Sequence, residues 1–554
     1  MRQIRREGKN RTFRIEKPQA FLSAVTFLSV DSSGRRSDSI HPNQIVIHIE
    51  NHGVPIKPHE LRVWLPQEKS SHYVFRLART LKSGSLDSFS TDAMIHRNNR
   101  GGFTVTGDPL PLTYCVLELS LRDRESSNAG TLWAHVRIKR EAFDISGGWV
   151  ASKVGDRNSL TIDEYRRTLK RMHVNTGQIQ DVSGFTDEPE VYKQLPLKRF
   201  NRLWPLERYD TDAMLPQIHA VEFLGEPQYG GGRPVPPQEV WEKLAPYQPG
   251  RLPTSLTLSE ERTWRYYAGL SDYPHYDAYR VIAPAADSWR GYDRWGGKRI
   301  RWGAPLETIG TMTRSLRQLS RPRSIAYWSQ GAHHGWGSLW NPRRGSPNAQ
   351  ELRSQAWHGL ANRVTSLYWF NLSLKSLVKF PDLIEPITRV NREALMLQEI
   401  LLGGDAFEYR RALTDGRPDF DLNSIVSSDA MLMAAHDLRY RVDTKAREFR
   451  FDPREAELTF KVPRWLRGKM QVFRVDADGC HEVECSFAED AITIRDRIEV
   501  VGLYVASNNP ETRQAIEAAG KRLRAVEKAV GFHPGENESD LQLLLSKLKG
   551  DSGK

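Results

Sequence analysis

Cysteine is nearly missing from this chain: Cys115, Cys480 and Cys485 are the only ones among 554 residues. Three thiols build no disulfide framework, and the C-x4-C spacing of the last two fits no zinc pattern. Adjacent His333 and His334 would point apart in a strand and have no third ligand spaced to join them, so no metal is expected. No run approaches the ~20 apolar residues of a membrane span, which leaves a membrane outside the expected partners. No G-x-S-x-G elbow or C-x-x-C pair occurs. Tyr229-Gly-Gly-Gly-Arg-Pro234 is glycine-rich but lacks the Lys-Ser/Thr of a phosphate loop, so it predicts flexibility beside Glu226. No cofactor is expected.

What is present is a loop-rich globular composition, 39% hydrophobic with 31 Pro, 40 Gly and 15 Trp. A chain of this length exceeds one core and should divide into about three or four domains. The formal net charge of +12 would suit a polyanion. Lys and Arg are nonetheless interspersed with Asp and Glu, and are densest only in residues 1–17 and from Lys298 to Arg323. That distribution reads as solvated surface, and nucleic acid is not an expected partner. Arg2, Arg5, Arg6 and Lys9 ahead of Ala20-Phe-Leu-Ser-Ala-Val-Thr-Phe-Leu-Ser-Val30 imitate a signal peptide. Ser and Thr break that apolar run and no A-x-A site follows, so it reads as a first β-strand.

Residues 18–141 alternate in short strands such as Gln44-Ile-Val-Ile-His-Ile49 and Thr113-Tyr-Cys-Val-Leu-Glu-Leu-Ser-Leu121, predicting an N-terminal, Ig-like β-sandwich. From Phe143-Asp-Ile-Ser-Gly-Gly-Trp-Val150 onward, strands alternate with helices. A helix over 159–172 leads to Val174–Gln180, a third strand near 198–208, and His219-Ala-Val-Glu-Phe-Leu-Gly-Glu226. Helices over 237–245 and 260–270 separate strands at Pro253–Leu258 and His275–Val281, and strands at Ser324–Gln330 and Val364–Asn371 follow. About eight strands in this grammar close a (β/α)8 TIM barrel, placed at residues 142–412. After a helix over 383–402, short strands at 425–507 predict a C-terminal β-sandwich, and 508–554 a helical tail broken at Phe532-His-Pro-Gly. The expected fold class is multidomain, α/β plus all-β.

In such a barrel the active site lies at the C-terminal ends of the strands. Glu226 closes the fourth strand before Pro227, and its apolar lead-in would desolvate the carboxyl and raise its pKa, as a general acid requires. Gly225-Glu226-Pro227 resembles the Asn-Glu-Pro strand-four acid/base motif of the glycoside hydrolase superfamily with (β/α)8 barrels. Glu351-Leu-Arg-Ser-Gln-Ala-Trp-His-Gly-Leu-Ala361 followed by Thr365-Ser-Leu-Tyr-Trp-Phe370 looks like the last helix and strand of the bacterial β-galactosidase-like members. The resemblance covers mainly residues 142–410. It implies a glycosidase acting on O-glycosyl bonds of a carbohydrate, with β-sandwiches flanking the barrel, and the substrate class favours the periplasm or the cell exterior.

One departure is plain. That family ends strand seven with a nucleophilic Glu, whereas Tyr327-Trp-Ser-Gln330 puts Gln there. Asp277 is the expected base or nucleophile, with Asp272 in reserve, both within Ser271-Asp-Tyr-Pro-His-Tyr-Asp-Ala-Tyr279. A pair on strands four and six resembles the arrangement of the α-galactosidase-like clan, where both residues are Asp. Trp149, Gln180, Asp272, Tyr279, Trp328, Gln330, His333 and Trp369 are the expected substrate-binding residues, since flat rings beside polar groups suit sugar faces. The basic charge makes an acidic or sulfated polysaccharide one expected substrate. The alternative is a non-catalytic carbohydrate-binding protein on a barrel scaffold, which Gln330 would allow.

Overall fold

The first of the chain's two units, residues 1–141 with 321–323, holds three antiparallel sheets: Ile4–Glu7 pairs with Thr12–Ile15, and alternation of apolar and polar residues builds the other two. Ala20–Leu28, Gln44–Asn51 and Ser85–Ser90 form a three-stranded sheet. Asn128–Arg137, Tyr114–Arg122, Lys57–Trp64, His72–Arg76 and Ile95–His96 form one of five strands. Phe27, Ile45, Ile47, Leu61, Val63, Leu117 and Leu119 share one buried core, the β-sandwich expected. This computed structural model describes residues 4–7, 12–15, 19–31, 42–64, 72–76, 79–90, 95–96, 114–122, 128–137, 143–150, 153–154, 157–158, 160, 162–178, 195–207, 218–223, 225–228, 234–247, 252–259, 261–277, 279–282, 305–331, 346–443, 446 and 448–530.

In the second unit a closed parallel barrel takes its strands in chain order. Strands one to four are Asp144–Gly147, Thr176–Gln178, Lys198–Arg202 and Ile218–Glu222. Strands five to eight are Thr254–Leu258, Tyr273–Asp277, Ala326–Gln330 and Ser366–Phe370. The short third strand is poorly marked in sequence because Phe200 is its only apolar residue, beside Lys198, Arg199, Asn201 and Arg202. Side-chain alternation divides each strand: Phe200, Ala220, Tyr273, Ala326, Trp328 and Tyr368 fill the lumen, while Tyr327, Leu367 and Trp369 join the core under the helices.

The helix Ala349–Leu360 opens with a capping box, in which Asn348 accepts from the Glu351 amide and Glu351 accepts from the Asn348 amide. Asn348→Ala is expected to lower stability by about 1 kcal/mol, read as a lower denaturant midpoint at unchanged slope.

A six-stranded sheet begins at Asp405, ahead of the expected start at 425. Asp405–Thr414 and Arg417–Val426 form a hairpin whose turn residues, Asp415 and Gly416, have φ of 52° and 72°. Positive φ at both positions is the mark of a tight hairpin turn. The first strand escapes notice because Glu408, Arg410 and Arg411 make it polar on a half-exposed sheet edge. Arg454–Lys461, Ala491–Ile498 and Glu484–Phe487 form the accompanying three-stranded sheet. The tail helix Glu511–Val530 anchors through Glu527, which binds Arg392 at 2.5 and 2.7 Å and His173 at 2.8 Å. The expected break at Phe532 lies outside the described residues, among which no helix is long and apolar enough to cross a membrane.

Candidate active site at the barrel mouth

Because the strands are parallel, their C-terminal ends share one mouth. Strand four ends at Glu222, and Glu226 stands in the loop that leaves it. Gly225 shapes that loop at φ 75°; no atom lies within 4 Å of a Cβ built there, so backbone conformation rather than space requires glycine. Glu226 is half-buried and hydrogen-bonds Ser259, the residue after strand five. Gln228 donates to the same Ser259 hydroxyl at 2.8 Å, tying the loop to strand five.

Asp277 is the last residue of strand six. Its Oδ1 is buried without a hydrogen-bond partner, and Tyr279 binds the carboxyl through its hydroxyl. Burial first, then the charges of Glu226 and Glu222, push Asp277 well above the usual carboxylate range, against the Tyr279 bond and the Arg280 charge. Burial also raises Glu226, with Ser259 opposing. The carboxyls expected on strands four and six are therefore within electrostatic reach of each other.

A third carboxyl joins them. Glu222 is buried, accepts from Gln178 Nε2 at 3.0 Å and Thr257 Oγ1 at 3.2 Å, and is raised by burial against both bonds. The signal for it in sequence is a Glu flanked by Val221 and Phe223 inside an apolar strand. Aromatic rings close the other side. Phe370 stacks on Tyr279 at 5.5 Å and meets the edge of Trp149 at 5.0 Å. Trp149 follows strand one in a left-handed conformation, φ 56°.

Below the mouth the lumen is braced rather than open. Asp144 accepts from Ser366 at 3.2 Å, Thr176 at 3.4 Å and Lys198, and His219 bridges to the Tyr368 hydroxyl at 2.9 Å. Trp328, expected to bind sugar, is buried there among Phe200, His275 and Tyr368. Two further expectations are corrected. Trp369 faces away from the lumen, its Nε1 donating to Asn391 at 2.8 Å, because it sits one residue out of phase with Tyr368. Asp272 precedes strand six and so lies at its far end, accepting from the Thr254 amide at 2.9 Å.

Gln330 does end strand seven; the Gln355 side chain clamps its backbone amide and carbonyl at 3.1 and 2.7 Å, and its own Oε1 is buried without a partner. Gln180 and His333 lie outside the described residues, as does most of the loop from Trp328 to Arg344. No three His, Cys, Asp or Glu side chains are grouped as metal ligands among the described residues. A separate cavity of about 440 Å³, away from the mouth, is lined by Arg353, Arg389 and Arg474. Those three pair with Glu393, Asp478 and Asp476, and Arg497 lines the cavity as well.

No protein-family model matches the chain, and neither does any curated protein. Among solved structures it is similar to a family 2 β-galacturonidase from Eisenbergiella tayi, with 13% identity over 64% of this chain and a TM-score of 0.27; the match spans 65% of that protein's length. A family 5 glycoside hydrolase from Bacteroides vulgatus matches at 10% identity over 67% of this chain and 91% of its own, TM-score 0.44. A family 30 endoxylanase from Clostridium papyrosolvens matches at 9% identity over 66% and 96%, TM-score 0.36. At such identities, what the barrel mouth can do is set by its own residues.

Proposed function

We propose that the chain hydrolyses a glycosidic bond at the barrel mouth, with Glu226 and Asp277 as the two working carboxyls. The observation that carries this is their position at the C-terminal ends of the barrel strands, Asp277 as the last residue of strand six and Glu226 in the loop that leaves strand four. Both are desolvated and the charge of Glu226 raises Asp277, so the pair tends to hold one proton between them. One protonated and one ionised carboxyl is what glycosidic cleavage needs, the first to protonate the leaving oxygen and the second to support or capture the sugar cation, directly or through water. Burial and the neighbouring charge favour Asp277 as the proton's resting place, which makes it the general acid and Glu226 the ionised partner. The sequence alone gives Glu226 the acid's part. What redistributes the roles is position: Glu226 stands in a loop beside Ser259, whereas Asp277 ends a lumen-facing strand.

The substrate read here is a neutral glycoside. The ionisable groups described at the mouth are Glu222, Glu226, Asp277 and Tyr279, and the nearby Arg280 is engaged by Tyr276 and Thr308. Among the described residues, an ionised Glu226 disfavours an anionic sugar ring at the point of cleavage. Asp277→Asn is expected to lose roughly 10²–10⁴-fold in turnover on alkyl glycosides, yet keep most of its activity on dinitrophenyl glycosides, which leave without protonation. Equal loss on both substrates would remove Asp277 from the acid's role. Gln330 keeps the second reading, sugar binding without turnover, in view, because an amide at the end of strand seven cannot serve as a nucleophile.

A further inference from the structure

Glu222 is not needed by the two-carboxyl mechanism, yet it is the most enclosed acid at the mouth, 3% exposed at the end of strand four. Its bonds come from two neutral donors, Gln178 on strand two and Thr257 on strand five. Ionising a buried carboxyl with neutral partners alone is costly, so the group holds its proton above the ordinary range. Thr257 stands level with His275 in the pairing of strands five and six, and Asp277 ends that same strand six. Thus Glu222 and Asp277 rise from opposite sides of strand five into one lumen.

We propose that Glu222 is a positioning residue of the site: held between Gln178 and Thr257, it stands across strand five from Asp277 and, once ionised, opposes the loss of the Asp277 proton. The inference rests on the reading of Glu226 and Asp277 as the working pair. Among the described residues, the titratable and charged groups around Asp277 are Glu226 from the loop after strand four, Glu222 from strand four, Tyr279 and Arg280 from its own segment, and Tyr327 from strand seven. Arg280 and the Tyr279 bond favour the ionised form, and the two glutamates oppose it. His275, buried two positions before Asp277 and held neutral by burial, adds no charge beneath it. When Glu222 ionises, Asp277 feels two negative neighbours instead of one and holds its proton more tightly.

Glu222→Gln tests this with little disturbance. The new amide keeps an oxygen for Thr257, and Gln178, whose Oε1 has no partner, can turn that oxygen toward the new NH2 group. On the full-length chain, infrared titration of protonated carboxyl bands, with Asp277→Asn to assign the Asp277 band, reads the coupling without any substrate. The Asp277 midpoint is expected to fall by roughly one pH unit in Glu222→Gln, because one like charge is gone. An unchanged midpoint overturns the proposal whether or not the chain turns over a glycoside. Failure to hydrolyse any glycoside, in turn, overturns the functional reading and leaves this measurement intact. Should Glu222→Gln melt early, Thr257→Val carries the test: the Glu222 band should persist to higher pH and the Asp277 midpoint should again fall, and no movement of either contradicts the role.

Discussion

Glu226→Gln is expected to lower turnover of neutral glycosides by roughly 10²–10⁴-fold while leaving the thermal midpoint near that of the wild type. The substitution is isosteric, its oxygen can still accept from Ser259, and the residue is half-buried in a loop rather than in the core. What it removes is the ionised carboxyl. The loss should therefore persist on dinitrophenyl glycosides, unlike that of Asp277→Asn. A second effect follows from the same charge. Glu226 holds the Asp277 proton in place, so without it the Asp277 carboxyl ionises at lower pH. A general acid works only while protonated, so residual activity should fall off at lower pH than in the wild type. A kcat–pH profile with an unmoved alkaline limb would separate the two carboxyls and undo the shared-proton account.

Glu527→Ala should cost the largest stability of any single change considered, about 3–5 kcal/mol. Glu527 is buried and neutralises Arg392, itself buried, through two short bonds, and His173 takes a further bond to the same carboxyl. Truncation strands a guanidinium among the tail helix, the helix Ile384–Met396 and the Ala477 carbonyl. The pH dependence has a defined sign. Burial opposes ionisation, but the His173 and Arg392 bonds outweigh it and hold Glu527 below its ordinary value of 4.5. Its contribution is complete above that ordinary value and is lost as pH falls through the lowered folded value. Wild-type chemical denaturation should thus weaken in acid more steeply than that of Glu527→Ala. Equal slopes would mean the ion pair is not formed in solution.

The barrel and its flanking sheets were legible because strand-helix alternation and short alternating strands leave patterns that survive without knowledge of contacts. The ends of strands were less so. Phe223 and Leu224 continue an apolar run after Glu222, so sequence carries strand four on to Glu226, whereas the backbone turns at Gly225. Asp272 is misplaced for another reason: the sequence reading puts it with Asp277 on strand six, yet that strand runs from Tyr273 to Asp277, so Asp272 stands at its N-terminal end, away from the mouth. Trp369 illustrates phase. Tyr-Trp-Phe reads as a uniform aromatic cluster, yet alternation sends Tyr368 into the lumen and Trp369 to Asn391. Glu222 is the residue that reasoning from motifs passes over, since no motif names it. A carboxylate embedded in a wholly buried parallel strand is a signal in its own right.

Most direct for the central claim is a mass-spectrometric record of what the full-length chain releases from a panel of neutral, sulfated and uronic oligo- and polysaccharides, set beside the Glu226→Gln/Asp277→Asn double variant. The account predicts shorter neutral sugars released by the wild type and none by the double variant. Binding of the same sugars by the wild type with no product from any of them would contradict it and leave a barrel that recognises carbohydrate without cleaving it.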